Sequence, residues 1–162
     1  MNETLIKELI RRGKLDQNMR NKYLKDGFWD DSVDKENTKF MKEIVKKTGW
    51  PKISDVGKKA ANIAWLLVQH ADLDPAFQKQ CLKLIESLPE GEIDKRNIAY
   101  LVDRVLVTEG KPQLYGTQFN GIGKTLAVQP IKDISNLDKR RKKMGLGSFA
   151  KYEKIMLKNY GK

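Results

Sequence analysis

The segment DVGKKAANIAWLLVQHA, residues 55–71, decides the fold of this chain. Its residues from Ala60 to Val68 are apolar apart from Asn62, so a helix formed here is apolar on almost every side. A helix that is apolar all round lies at the centre of a domain and is covered by its neighbours. The segment therefore predicts a central, buried helix against which other helices pack.

Amphipathic patterns before and after this segment predict the surrounding helices. Leu5, Ile6, Leu9 and Ile10 recur at helical spacing, and Gly13 is expected to end that helix. Further helices are predicted over residues 14–25, from an N-cap at Asp34 to Gly49, from Pro75 to about Leu88, over residues 94–108, from Ser135 to Gly145, and after Ser148.

The pattern changes at residues 112–131, PQLYGTQFNGIGKTLAVQPI. This segment alternates, and β-branched and aromatic residues flank its NGIG turn, which predicts a β-hairpin. The expected fold class is mainly α: a compact multi-helix domain with one β-hairpin in the C-terminal third.

Length and composition limit the class of protein. The chain has 162 residues, of which 40% are hydrophobic, as expected of one ordinary globular domain. Its lone cysteine, Cys81, excludes an internal disulfide framework and fits a reducing compartment. The N-terminus lacks the apolar region of a signal peptide, and the longest apolar run is too short to span a bilayer. We therefore expect a cytoplasmic protein with no membrane association.

The net charge of +11 is concentrated near the C-terminus, where residues 132–162 contain ten Lys or Arg and three Asp or Glu. Five of these cations are consecutive: Lys139, Arg140, Arg141, Lys142 and Lys143. Such a run attracts polyanions, so nucleic acid is one candidate partner. A solvated helix face is the alternative, because no aromatic residues interleave with the run as single-strand binding would favour.

Gln69, His70 and Asp72 break the apolar pattern at the end of the central helix, and His70 is the only histidine in the chain. Buried polar groups there must find hydrogen-bond partners or cost about 1–3 kcal/mol each. Asp72 is placed to orient the imidazole or to cap the next segment. A satisfied core histidine is the alternative to a functional site. No metal is expected, since one histidine with scattered carboxylates makes a poor ligand set.

Asp103 and Arg104 interrupt the apolar helix AYLVDRVLV. Arg104 is suited to bind an anion with two parallel hydrogen bonds, and Asp103 to accept one from His70 or from the hairpin. A structural ion pair between helix and hairpin is the alternative.

The segment PQLYGTQ, residues 112–118, carries further polar side chains. In a strand Gln113, Tyr115 and Thr117 share one face and Gln118 lies on the other. Gln113 and Tyr115, side by side, make a hydrogen-bonding face, for which an amphipathic hairpin with its polar face in water is the alternative.

Four motifs in this chain resemble those of an uncharacterised bacterial domain family: D-x-x-N-T…G-W-P, A-W-x-x-x-Q-H-x-D…F-Q, Y-L-x-D-R-V and Q-x-Y-G-T-Q. The resemblance covers about residues 34–146. It implies a bacterial origin and a shared polar set, but no particular reaction. That set is Asp34, Asn37, Trp65, Gln69, His70, Asp72, Gln78, Asp103, Arg104, Gln113, Tyr115, Thr117 and Gln118.

A single domain, residues 1–162, is expected, with N-terminal helices over 1–30, a family core over 31–146 and a C-terminal helix over 147–162.

Together the polar residues have the composition of a ligand pocket, although no G-x-S-x-G, Walker or H-E-x-x-H motif is present. The leading hypothesis is a small hydrolase or transferase acting on an anionic small molecule, nucleotide-like or phosphorylated, without a cofactor. The expected catalytic residues are His70, Asp72 and Asp103, and the expected substrate-binding residues are Gln69, Arg104, Gln113, Tyr115, Thr117 and Gln118. A non-catalytic ligand- or protein-binding module, nucleic-acid binding through residues 139–143, and a purely structural polar set are the alternatives.

Overall fold

A computed structural model describes residues 2–161, which form seven α-helices and one short β-hairpin. The mainly α fold class, with the hairpin in the C-terminal third, is thereby confirmed. The chain divides into two units, Met1–Asp94 and Lys95–Lys162, and each is described by itself. The single domain over residues 1–162 and its division into three segments stay predictions.

The first unit contains four helices: α1 (Glu3–Asp26), α2 (Asp31–Thr48), α3 (Ile53–Gln69) and α4 (Pro75–Glu86). Helix α3 is the central one, as the sequence predicts, and the other three pack against it. Its buried residues include three alanines, which allow close approach of the neighbouring helices, together with Leu67 and Val68.

Helix α1 runs without interruption through Gly13, so the expected helix end at this residue is wrong. Gly13 is buried, and a Cβ built on it would lie 2.7 Å from Cδ1 and 2.8 Å from Cγ2 of Ile63 in α3. The glycine is therefore required by close packing of α1 on α3. The continuous helix ends at Gly27, whose φ of 75° is the left-handed conformation of a helix C-terminus.

The residues that cap helices α2 and α4 agree in part with the caps predicted from the sequence. Asp30 is the N-cap of α2, where Asp34 was expected, and its carboxylate accepts a hydrogen bond from the Ser32 amide. Asp34 lies within the first turn and is buried. Gly49 ends α2, and Asp74 caps α4 with Pro75 in its first turn, both as expected.

The second unit contains α5 (Lys95–Thr108), the hairpin strands β1 (Phe119–Asn120) and β2 (Ala127–Val128), α6 (Leu137–Lys143) and α7 (Phe149–Tyr160). The strands are antiparallel, with Phe119 opposite Val128. The hairpin is shorter than predicted because residues 113–118 fold around an acidic side chain of α5 instead of extending β1.

We expect Gly13→Ala to lower the free energy of unfolding by about 1–3 kcal/mol, since the added methyl collides with a β-branched side chain. In an Ile63→Ala background the same substitution should instead raise stability by about 1 kcal/mol, because alanine favours the helix over glycine. Urea unfolding of the four proteins checks this. A stabilising Gly13→Ala in the wild-type background would contradict the packing explanation.

Candidate functional site

The carboxylate of Asp16 lies on the buried side of α1 and is 0% exposed. Leu9, Gly13 and Asp16 follow each other at spacings of four and three residues, so they form one stripe along the helix. Gly13 of this stripe packs against α3. An ionised carboxylate in such a position is stable only when charged or hydrogen-bonding partners surround it.

Three side chains donate hydrogen bonds to the Asp16 carboxylate. Nδ1 of His70 lies 2.9 Å from Oδ1, a guanidinium nitrogen of Arg20 lies 2.8 Å from the same oxygen, and Nε2 of Gln17 lies 2.8 Å from Oδ2. Burial by itself raises the pKa of Asp16, but the hydrogen bond and charge of His70 and the charge of Arg20 outweigh it. The pKa of this carboxyl therefore lies below its ordinary value.

His70 is the residue at which α3 ends, and its side chain keeps 16% of its surface exposed. Because an ionised carboxylate only accepts hydrogen bonds, Nδ1 of the neutral ring carries the proton and Nε2 carries the lone pair. Nε2 makes no hydrogen bond to any residue between 2 and 161. The ring is thus held from one side and has a nitrogen able to accept a proton.

Arg20 connects Asp16 to a second buried carboxylate. Its other terminal nitrogen lies 3.1 and 3.0 Å from the two oxygens of Asp34 in α2. Burial raises the pKa of Asp34 more than the charge and hydrogen bonds of Arg20 lower it. We call Asp16, Arg20, Asp34 and His70 the dyad cluster. It carries a net charge of −1 when both carboxyls are ionised and the imidazole is neutral, so a protonated imidazole would neutralise it.

Three buried amide side chains of the first unit each leave one polar atom without a hydrogen-bond partner among residues 2–161. They are Asn37 (Nδ2), Gln69 (Oε1) and Gln78 (Oε1). Orphaned buried polar atoms are rare, and each one requires an explanation. All three residues belong to the polar set that the sequence motifs single out.

The carboxylate at Nδ1 of His70 is Asp16, in the position that the sequence assigned to Asp72 or Asp103. Asp72 is exposed, and its Oδ1 accepts a hydrogen bond of 3.1 Å from Nε2 of Gln78. The same Nε2 also donates to the carbonyl groups of Val68 and Gln69. Gln78 therefore joins α4 to the end of α3.

In the second unit the carboxylate of Asp103 holds the segment after α5. It accepts hydrogen bonds from the amides of Leu114, Tyr115 and Thr117 at 2.7–3.0 Å, and from the Thr117 hydroxyl at 2.9 Å. Burial raises the pKa of Asp103 more than these bonds lower it. All four donors are neutral, so their stabilisation of the charge is limited.

Gln113, Thr117 and Gln118, which the sequence predicts to bind substrate, are buried. Nε2 of Gln113 donates to the carbonyls of Gln118 and Gln129, and its Oε1 accepts from the Gln118 amide. The Gln113 side chain thus makes the hydrogen bonds to backbone groups that a neighbouring strand would make in a regular sheet. The two other expected ligand-binding residues of this unit, Arg104 and Tyr115, are half-buried.

The basic run of residues 139–143 is divided by the fold. Arg141 is only 2% exposed, donates from Nε to the Gly147 carbonyl, and lies over the rings of Phe149 and Tyr152. Arg140 donates to the Leu114 carbonyl from Nε. Lys139, Lys142 and Lys143 are exposed. Three of the five cations predicted to bind nucleic acid therefore lie on the surface.

Two kinds of feature are absent from the part of the chain that the structure describes. Over residues 2–161, no three His, Cys, Asp or Glu side chains are grouped as they would be around a metal ion. In the same range, every helix is too short or too polar to cross a membrane.

Asp16 and Arg20 are the site residues that the sequence did not reveal. Asp16 follows Leu9 and Gly13 at helical spacing, so it belongs to the buried stripe once α1 continues through the glycine. The expectation that the helix ends at Gly13 hid this relation. A charged residue on an otherwise apolar or small-residue stripe is the signal that identifies it.

These features define a helical protein with a buried carboxylate–histidine pair near one end of its central helix. The sequence profile of a family of unknown function, DUF6624, matches residues 4–162, and the chain belongs to this family. No curated protein and no solved structure matches the chain.

We expect the neutral His70 ring to be the Nδ1–H tautomer in the wild-type protein, because the ionised Asp16 requires a donor. Replacement of Asp16 by Ala should shift the ring toward Nε2–H, whereas Asp72→Asn should leave the tautomer unchanged. Long-range ¹H–¹⁵N NMR reads the tautomer directly, since the chain contains a single histidine. An Nε2–H ring in the wild type would contradict the assignment.

We expect Asp103→Asn to lower the free energy of unfolding by about 1–3 kcal/mol or more. The side-chain nitrogen of asparagine cannot accept a hydrogen bond, so backbone amides that face it lose their acceptor. Asp55→Asn, at an exposed carboxylate, is the control and should change stability by less than about 0.5 kcal/mol. Denaturant unfolding measures both. Equal stability of Asp103→Asn and the wild type would show that Asp103 is not the support of residues 114–117.

Proposed function

We propose that this protein is a small hydrolase or transferase in which His70 is the general base and Asp16 orients it. The observation that carries the proposal is the 2.9 Å hydrogen bond from Nδ1 of His70 to a wholly buried carboxylate, with the imidazole partly exposed. A histidine oriented by a carboxylate in this way is the recurring base of hydrolytic and transfer reactions.

The proton path follows from the geometry of the pair. Nε2 accepts a proton from water or from a substrate hydroxyl, which becomes the nucleophile, and the resulting imidazolium donates both of its N–H groups. Asp16 stabilises this cation without taking its proton, because Arg20 and the hydrogen bond from His70 keep the pKa of Asp16 low. Nε2 then returns the proton to the leaving group.

Arg20 and Asp34 act in this scheme as positioning residues. The guanidinium donates to Oδ1 of Asp16 and is itself fixed by both oxygens of Asp34. The orphaned amide atoms of Asn37, Gln69 and Gln78 support a binding role for the surrounding helices, since a bound ligand or water would satisfy them.

An anionic substrate stays part of this proposal on the ground of the sequence alone, since the dyad cluster itself carries a net charge of −1 while both of its carboxyls are ionised and its imidazole is neutral. The catalytic roles of Asp72 and Asp103 and the binding roles of Gln113, Thr117 and Gln118 stay predictions from the sequence, and no step of the proposed reaction rests on them. We place the reaction in the bacterial cytoplasm, in keeping with the free thiol of Cys81.

The test begins with a thermal-shift screen of the wild type against nucleotides, phosphosugars, ADP-ribose-like compounds and simple phosphate esters. Ligands that raise Tm are then assayed for turnover by ³¹P NMR and chromatography. We expect His70→Ala to lower kcat by about 10²- to 10⁴-fold, as loss of a general base does, while the ligand still binds. Asp16→Asn should lower kcat with little change in KM.

Asp55→Asn is the matched control, because it removes an exposed carboxylate of the same unit and should retain full turnover. Unchanged turnover in His70→Ala would reject the proposed base. Binding without turnover in the wild type would favour the alternative of a non-catalytic binding module.

A further inference from the structure

An exposed aromatic surface lies beside the dyad cluster, at the end of α1. Trp29 is 42% exposed and Phe28 is 53% exposed, and the exposed Leu24 belongs to the same turn of chain. Large apolar side chains grouped on a surface mark sites of ligand or partner binding. We call Tyr23, Phe28 and Trp29 the aromatic wall.

The indole of Trp29 is held in one orientation although it is exposed. Its Nε1 donates a hydrogen bond of 2.8 Å to Asp31, and the Tyr23 ring meets it nearly perpendicularly at 5.3 Å between centroids. The guanidinium carbon of Arg20 lies 5.2 Å from the indole centroid. A ring fixed in advance loses little conformational entropy when a flat ligand stacks on it.

Arg20 connects the aromatic wall to the dyad cluster. The same guanidinium that lies over Trp29 donates to Asp16, which in turn accepts the hydrogen bond from His70. A single side chain therefore separates the exposed indole from the carboxylate that orients the base.

The charges around the wall favour a neutral, hydrogen-donating ligand over a phosphate. Asp26 and Asp31 are exposed there, and each uses only Oδ1 within residues 2–161, for the Phe28 amide and the Trp29 indole. Their remaining oxygens accept hydrogen bonds from amino or hydroxyl groups. Of the cations nearby, Arg20 is bound to Asp16 and Asp34, Lys22 lies 4.1 Å over the Phe28 ring, and Lys25 is exposed in the last turn of α1.

We propose that the aromatic wall binds the base of a nucleoside moiety, so that the substrate of the proposed His70 reaction is a nucleoside or a compound that contains one. A nucleoside combines a flat base, which stacks on aromatic rings, with amino and ribose hydroxyl groups, which donate to carboxylates. The statement that this nucleoside is the substrate rests on the proposed function, whereas the binding of the nucleoside is measured without turnover.

The test is a titration of the ¹⁵N-labelled protein with adenosine, inosine, cytidine and uridine, with ribose 5-phosphate as the ligand that lacks a base. The indole signal of Trp29 is identified by its loss in Trp29→Leu. We expect a saturable shift of that signal with at least one nucleoside, and weaker binding of ribose 5-phosphate. Trp29→Leu should raise the Kd of that nucleoside about 5- to 150-fold, followed through the remaining signals.

Trp29→Phe keeps an aromatic face and should raise the Kd by a smaller factor than Trp29→Leu. Ile155→Ala, at an exposed apolar residue of α7, is the control and should leave the Kd unchanged. The proposal is overturned if none of the four nucleosides gives a saturable shift, or if a folded Trp29→Leu protein binds as tightly as the wild type.

The same titration in His70→Ala separates this inference from the proposed function. Retained nucleoside binding in His70→Ala supports the aromatic wall whatever happens to turnover. Nucleosides could bind in a Trp29-dependent way while His70→Ala retains turnover. That result would support the aromatic wall as the nucleoside site and reject His70 as the general base.

Discussion

The buried carboxylate of Asp16 is the constraint on which the first unit depends. It has no access to solvent, so its charge is tolerated only while Arg20 and His70 remain in contact with it. Removing one partner of a buried ion pair costs about 3–5 kcal/mol, because the other charge is left uncompensated. Through these partners, and through Asp34 beyond Arg20, one carboxylate fixes the relative positions of α1, α2 and α3.

The same contacts support the proposed role of His70 over that of a histidine that only fills the core. A satisfied core histidine would place both ring nitrogens against protein atoms. His70 has only Nδ1 so placed, and its side chain remains partly exposed. Arg20, which is half-buried, and the buried Asp34 add two further charges beside Asp16, which a purely structural hydrogen bond to imidazole would not require. The arrangement is more costly than packing alone explains, as is typical of functional sites.

Local sequence patterns predict the helices but not the side-chain contacts between them. The apolar run of α3, the Asp74–Pro75 start of α4 and the glycine after α2 each follow from residues within one turn. Gly13 was misread because its role is defined by Ile63, fifty residues further on. The partner of His70 was missed for the same reason, since Asp16 lies 54 residues away and no local periodicity relates the two. The histidine itself was found because it interrupts an apolar run.

Asp16 and Asp103 are both wholly buried, but the groups that surround them differ. Asp103 is surrounded by neutral amide and hydroxyl donors, and burial raises its pKa, so the bonds serve to shape residues 114–117. Asp16 faces a guanidinium and an imidazole, which lower its pKa despite complete burial. A carboxylate kept ionised in this way stabilises a positive charge on its neighbour at the moment that neighbour takes a proton. In the proposed reaction, the carboxylate that the first unit needs for its packing is therefore also the one that orients the general base, His70.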